Sequence, residues 1–170
     1  MARLELLARE WAQALVEGDA EFSKRFGIPV ETGWPGFVET RRALVAAAGG
    51  RDDTDPWGLH LFFDDDGALV GNGGWKGPPL DGVAELGYAV APARRRRGVA
   101  TSAVRELLSG ARSAGLRTVV AHTLAEESAS TAVLIRCGFT RVSEFLGHED
   151  GLVWRWECNI DTPSTAAPAG

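Results

Sequence analysis

The strongest constraint on this chain lies between Val83 and Ala114. The apolar run VAELGYAV (Val83 to Val90) is closed by Pro92, followed by four consecutive arginines, Arg94 to Arg97, and then by Gly98. Alternation along the first part predicts a strand. Val99, Ala103, Val104, Leu107, Leu108 and Ala111 recur at helical spacing and predict a helix from about Gly98 to Ala114. A strand running through a glycine-containing loop into a helix presents unpaired backbone N–H groups and the positive end of the helix dipole to an anion. Gly98 lets a ligand approach the backbone closely. Arg94 to Arg97 add mobile positive charge. The stretch therefore reads as a phosphate or pyrophosphate cradle, with a solvated arginine turn as the plain alternative. A Walker loop (GxxxxGK-S/T) and a dinucleotide fingerprint (GxGxxG) are both absent.

Around this unit the sequence predicts a mixed α+β chain. Leu4, Leu7, Trp11 and Leu15 predict one amphipathic helix over the first seventeen residues. A short helix over Ala20 to Phe26 and another from Gly36 to Ala48 follow. Trp57 to Asp64 and Ala68 to Gly77 read as a hairpin, Arg117 to Leu124 as a buried-type strand, and Glu127 to Arg136 as a helix ended by Gly138. FTRVSEFLG and GLVWRWEC read as a closing hairpin. After the N-terminal helices the order is β-β-β-α-β-α-β-β. That order implies a largely antiparallel sheet flanked by helices rather than a doubly wound one. The chain reads as one domain over residues 1–158, with residues 1–50 forming part of the acceptor side and 159–170 a disordered tail.

With 170 residues and a net charge of −5, the chain lacks the basic face of a general nucleic-acid binder. No apolar run reaches the ~18 residues of a membrane span, and the charged N-terminus has no signal-peptide core. Two cysteines without framework spacing fit a reducing, cytoplasmic setting. The three histidines lack metal-ligand spacing, and Asp64-Asp65-Asp66-Gly67 reads as a hairpin turn rather than a calcium loop, so no metal is expected.

Arg95 to Ala100, RRRGVA, matches the Q/R-x-x-G-x-G/A loop of the GCN5-related N-acetyltransferases (GNAT). With VGNGGWKG before it and SASTAVLIRCGF after it, the stretch from Trp57 to Glu157 resembles the branch of that family that acetylates ribosomal-protein N-termini. The resemblance implies acetyl-coenzyme A as cosubstrate, its pyrophosphate held at Arg95, Arg96, Arg97, Gly98, Val99, Ala100 and Thr101. It also implies that the family's fourth and fifth strands splay apart around the pantetheine arm, with backbone contacts at Ala89 and Val90, and a contact at Ser130.

Glu85 is the candidate base. On a strand it shares a face with Gly87 and Ala89, which leave room for a ligand, while Leu86, Tyr88 and Val90 point to the core. A structural salt bridge is the competing reading. The chain departs from the family pattern twice. Glu127 stands where an Asn is usual, and Leu134 where many members carry a Tyr that protonates the leaving thiolate. The thiolate then leaves without a side-chain acid, or Ser130 or a water serves. Trp34, Phe37 and Trp75 are candidates for the acceptor cleft as well as for the core, and Trp154 and Trp156 for the core or a homodimer contact. The implied activity is acetyl transfer to an amine, either a protein N-terminus or a small molecule. A non-catalytic acyl-coenzyme A-binding sensor or scaffold is the alternative. The acidic balance leans toward a cationic acceptor.

Overall fold

The alternation of Arg3, Leu4, Glu5 and Leu6 decides the N-terminus, and it decides against the expected single helix. In the computed structural model, which describes residues 1–50 and 55–160, these residues form strand β1 (Arg3–Leu6). Helix α1 (Arg9–Glu17) starts only after it. The leucines satisfy a helical and a strand period alike, and pairing with β2 (Leu59–Phe63) selects the strand.

The remaining elements follow the predicted order: α2 (Asp19–Phe26), α3 (Val38–Ala48), β3 (Leu69–Trp75), β4 (Val83–Val90), α4 (Val99–Ser113), β5 (Thr118–Leu124), α5 (Ala129–Arg136), β6 (Thr140–Gly147) and β7 (Gly151–Asn159). Helix α5 begins two residues later than expected because Ser128 caps it, accepting from the Thr131 N–H while the Thr131 hydroxyl accepts from the Ser128 N–H. The folded part also runs past residue 158. Asn159 ends β7, and Ile160 is buried with its N–H donating to the Arg117 carbonyl. The rest of the expected tail, 161–170, lies outside the described residues.

The sheet has seven strands in the order β1-β2-β3-β4-β5-β7-β6. Each neighbouring pair is antiparallel except β4 and β5. One face packs on α4 and α5 through Phe62, Val70, Leu86, Val90, Val104, Leu108, Leu134 and Trp156. The other face of β2, β3 and the end of β4 is covered by the N-terminal helices through Phe22, Trp34, Leu44, Leu61 and Phe63. Trp154 and Trp156 both belong to the first core, edge to face with each other. Among the described residues no helix is long and apolar enough to cross a membrane.

Candidate active site

Strands β4 and β5 pair only from Val83 to Glu85 and from Thr118 to Val120. Beyond that point β4 stays with β3 and β5 stays with β7, so a gap opens between two strands of one sheet. Backbone parity decides which groups face it. The Glu85 carbonyl accepts from the Lys76 N–H, and the Ala91 N–H donates to the Val70 carbonyl. Odd-numbered residues of β4 thus turn their backbone groups to β3, and Leu86, Tyr88 and Val90 turn theirs to the gap. This divides the two expected backbone contacts. Ala89 is committed to the β3 ladder opposite Asn72, and the Val90 N–H faces the gap.

At the end of β4 a short 3-10 turn (Pro92–Arg94) leads to Arg96 and Gly98, both in the left-handed region with φ of 62° and 78°. Gly98 is the N-cap of α4, and no side chain caps that helix. Among the described residues the N–H groups of Gly98, Val99, Ala100 and Thr101 bond to nothing. A Cβ built on Gly98 has no atom within 4 Å. Four unpaired donors beside the open space at Gly98 suit a pyrophosphate.

The four arginines separate into different roles. Arg94 is not mobile. Its guanidinium bonds Glu31 at 2.8 Å, Asp64 at 3.2 Å and Asp66 at 2.9 Å, and only 16% of its side chain is exposed. These bonds raise its pKa. It fastens the cradle to the β2–β3 turn through Asp64 and Asp66 and to Glu31 ahead of α3. Arg95 donates from Nε to the Val90 carbonyl and fixes the loop on the strand end. The side chains of Arg96 and Arg97 are exposed.

Glu85 and His122 meet at the lip of the gap. His122 lies two residues beyond the last paired residue of β5, on the face of Glu85. Its Nδ1 is 2.7 Å from Glu85 Oε1, and Lys76 Nζ is 3.1 Å from the same oxygen. Burial works to raise the Glu85 pKa, but the His122 hydrogen bond and the Lys76 charge outweigh it, and the carboxyl sits below its ordinary value. The His122 ring stands edge-on to Phe145 at 5.5 Å between centroids. No local pattern singles out His122 as a partner of Glu85. It is 37 residues from Glu85, and only the parallel register joins them.

The small face beside Glu85 is only partly open. A Cβ on Gly36 would collide with the Ala89 side chain, so the Pro35–Gly36 backbone sits on Ala89. The Asn72 amide holds that loop by donating to the Trp34 and Pro35 carbonyls, each at 3.0 Å. The space beside Gly87 remains, bordered by Lys76. Of the aromatic candidates, Trp34 is buried and donates to Asp19. Trp75 pairs with Leu86 and so lies on the α4 face against Trp57, away from Glu85. Phe37 stays exposed beside the Gly36 loop.

Across the gap on the α4 side, the Tyr88 hydroxyl donates to the Ser130 carbonyl at 3.0 Å and lies 3.1 Å from the Ser130 Oγ. Burial pushes its pKa up to about 12, against a lowering by the Ser130 hydrogen bond. This pair ties β4 to α5. Leu134 is fully buried and presents nothing to the gap. Glu127 precedes the Ser128 cap and lies outside the helix.

A sheet split beside an uncapped helix N-terminus, with titratable groups at the lip, suits an anionic ligand. A family model described as an acetyltransferase (GNAT) domain matches residues 3–140. The chain belongs to the GNAT acetyltransferase family. It is an acetyl-coenzyme A-dependent acetyltransferase of that fold. A search of curated proteins returns no match. Among solved structures, the chain is similar to a ribosomal-protein-S5-alanine acetyltransferase from Vibrio fischeri (TM-score 0.69, 14% identity, 95% of this chain and 96% of that one). It is also similar to a variant of the spermidine N-acetyltransferase SpeG from Vibrio cholerae (0.67, 13%, 93% and 95%). A third similar structure is yncA from Salmonella typhimurium, solved with its cofactor acetyl-CoA (0.66, 17%, 96% and 96%). At these identities the likeness concerns the fold.

Proposed function

We propose that the chain transfers an acetyl group directly to a primary amine, with both substrates bound at once. The observation that carries this reading is the gap between β4 and β5, with the uncapped α4 at one end and the Glu85–His122 pair at its lip. The N–H groups of Gly98 to Thr101 would hold the pyrophosphate, with Arg95, Arg96 and Arg97 around it. The Val90 N–H faces the pantetheine position, and Ser130 lies across the gap on α5. Acetyl-coenzyme A supplies an activated thioester. A gap-facing amide of β4 is placed to donate to the thioester oxygen as charge develops there.

The amine reaches the gap from the Glu85 face, opposite α4, where the Glu85–His122 pair receives its proton. Neither cysteine is placed for an acyl-enzyme. Cys158 is buried, and burial raises the thiol pKa of both Cys137 and Cys158. The Vibrio structures named above are transferases acting on spermidine and on a ribosomal-protein alanine, and both of those acceptors are amines. On this face Lys76 and Arg155 stand with Glu85 and Glu157, so its charges are mixed. Self-association would fall on β6, where Val142 and Leu146 stand exposed; sedimentation of the full chain reads it.

The test is thiol release from acetyl-coenzyme A across a panel of polyamines, amino-acid amides and N-terminal peptides. Turnover with at least one amine supports the reading. Tight coenzyme A binding with no turnover on any of them contradicts it and favours a sensor.

A further inference from the structure

We infer that His122, rather than Glu85, is the group that takes the proton from the acceptor amine, and that Glu85 and Lys76 position it. The inference rests on the transferase reading above. Three observations carry it.

The first is orientation. His122 Nδ1 meets Glu85 Oε1 at 2.7 Å, and an ionised carboxylate only accepts. The proton of a neutral ring is therefore on Nδ1, and the lone pair is on Nε2. Among the described residues Nε2 makes no hydrogen bond. The second is place. In the parallel register His122 lies level with Gly87, on the opposite side of the gap, two residues past the last paired position. Its side chain is 23% exposed, while Phe145 holds the ring edge-on. The third is the state of Glu85. Lys76 and His122 both bind its Oε1 and hold it ionised, which leaves it a weak base at neutral pH. Imidazole is the side chain that most often serves as a general base. The charged groups around the ring are Glu85 on β4, Lys76 just beyond β3, and Arg155 directly opposite on β7, itself paired with Glu157 at 3.1 Å. From β6, Ser143 stands opposite Arg155 and carries no charge.

The proton balance follows. Nε2 takes one proton from the ammonium and releases it to water. The neutral amine attacks the thioester carbon. The C–N bond forms and the C–S bond breaks, its electron pair going to sulfur. The second amine proton ends on that sulfur. The products are an amide, free coenzyme A and one proton in solution.

The experiment measures kcat/KM against pH, using the amine that wild type acetylates best, for wild type, His122→Gln, His122→Ala and Glu85→Gln. Melting temperature with and without coenzyme A reports folding and cofactor binding. Gln at 122 can still donate to Glu85 but has no basic nitrogen. We expect His122→Gln to keep the coenzyme A-induced shift and the KM for acetyl-coenzyme A. Its kcat/KM should fall by roughly 10²- to 10⁴-fold, with loss of the acid limb that wild type shows. Added imidazole should raise the rate of His122→Ala. Glu85→Gln should turn over more slowly with the limb still present. Wild-type rate and limb in His122→Gln overturn the inference alone, as does a limb lost in Glu85→Gln and kept in His122→Gln. No turnover by wild type on any amine, with coenzyme A still bound, overturns the transferase reading and this inference with it.

Discussion

Gly98→Val probes the cradle without touching any existing contact. In the free protein a Cβ at this position meets no atom within 4 Å beyond its chain neighbours. Its cost comes from the backbone. At φ of 78° an L side chain is destabilised by roughly 1–2 kcal/mol, with a β-branched one at the upper end. For a chain of this size each kcal/mol shifts the midpoint by roughly 2–4 °C, so the melting temperature should fall by roughly 2–8 °C. Coenzyme A should suffer a separate loss. The new methyl groups occupy the space where the pyrophosphate would lie against the N–H groups of Gly98 to Thr101. Losing one charge-assisted hydrogen bond is worth about 1.5–3 kcal/mol, or roughly 10- to 100-fold in affinity. Gly115→Val is the matched control. It has φ of 84° and the same empty surroundings, but it sits at the far end of α4. It should lose a similar number of degrees and no affinity. Calorimetric titration with coenzyme A reads the affinities, and differential scanning reads the midpoints. Equal affinity in Gly98→Val and wild type would refute the cradle.

Arg94→Ala should lower the melting temperature while leaving the coenzyme A-induced shift intact, because its partners are Glu31, Asp64 and Asp66. Arg96→Ala and Arg97→Ala should show the reverse in the same thermal-shift assay. Tyr88 is the only tyrosine, so tyrosinate absorbance reports on it alone. It should titrate near 12 rather than at its ordinary 10.0. Because the folded state holds this proton more tightly than the unfolded one, its contribution to stability is complete below pH 10 and is lost as pH rises toward 12. Tyr88→Phe should lose that part of the alkaline decline; an ordinary titration of Tyr88 would count against its burial between β4 and α5.

The strand–loop–helix unit was legible because its pattern is local. Apolar alternation, a proline stop and a helical stripe all lie within one stretch of chain, and the open gap followed from the family resemblance. What escaped the sequence depends on partners far along the chain. Leu4 and Leu6 fit two periods, and only the edge of β2, more than fifty residues on, chooses between them. Arg94 looked like its three neighbours until Glu31 and Asp64 were folded against it. Ala89 and Val90 could not be told apart, since the direction of each amide depends on which neighbour β3 bonds first. Trp75 could be read as cleft or core, and only its register with Leu86 puts it against the core on the α4 face. The Glu85–His122 pair needed the parallel register, which no spacing within either strand reveals.

The central claim is that the carrier lies in the gap between β4 and β5, its phosphates on the α4 N-terminus and its reactive end beside Glu85 and His122. A crystal structure with coenzyme A tests it most directly. The account predicts pyrophosphate oxygens within hydrogen-bond distance of the N–H groups of Gly98 to Thr101, the pantetheine arm against the gap-facing amides of Tyr88 and Val90, and the thiol at the lip where His122 stands. Coenzyme A bound elsewhere, or an α4 N-terminus that touches none of its phosphates, would contradict it.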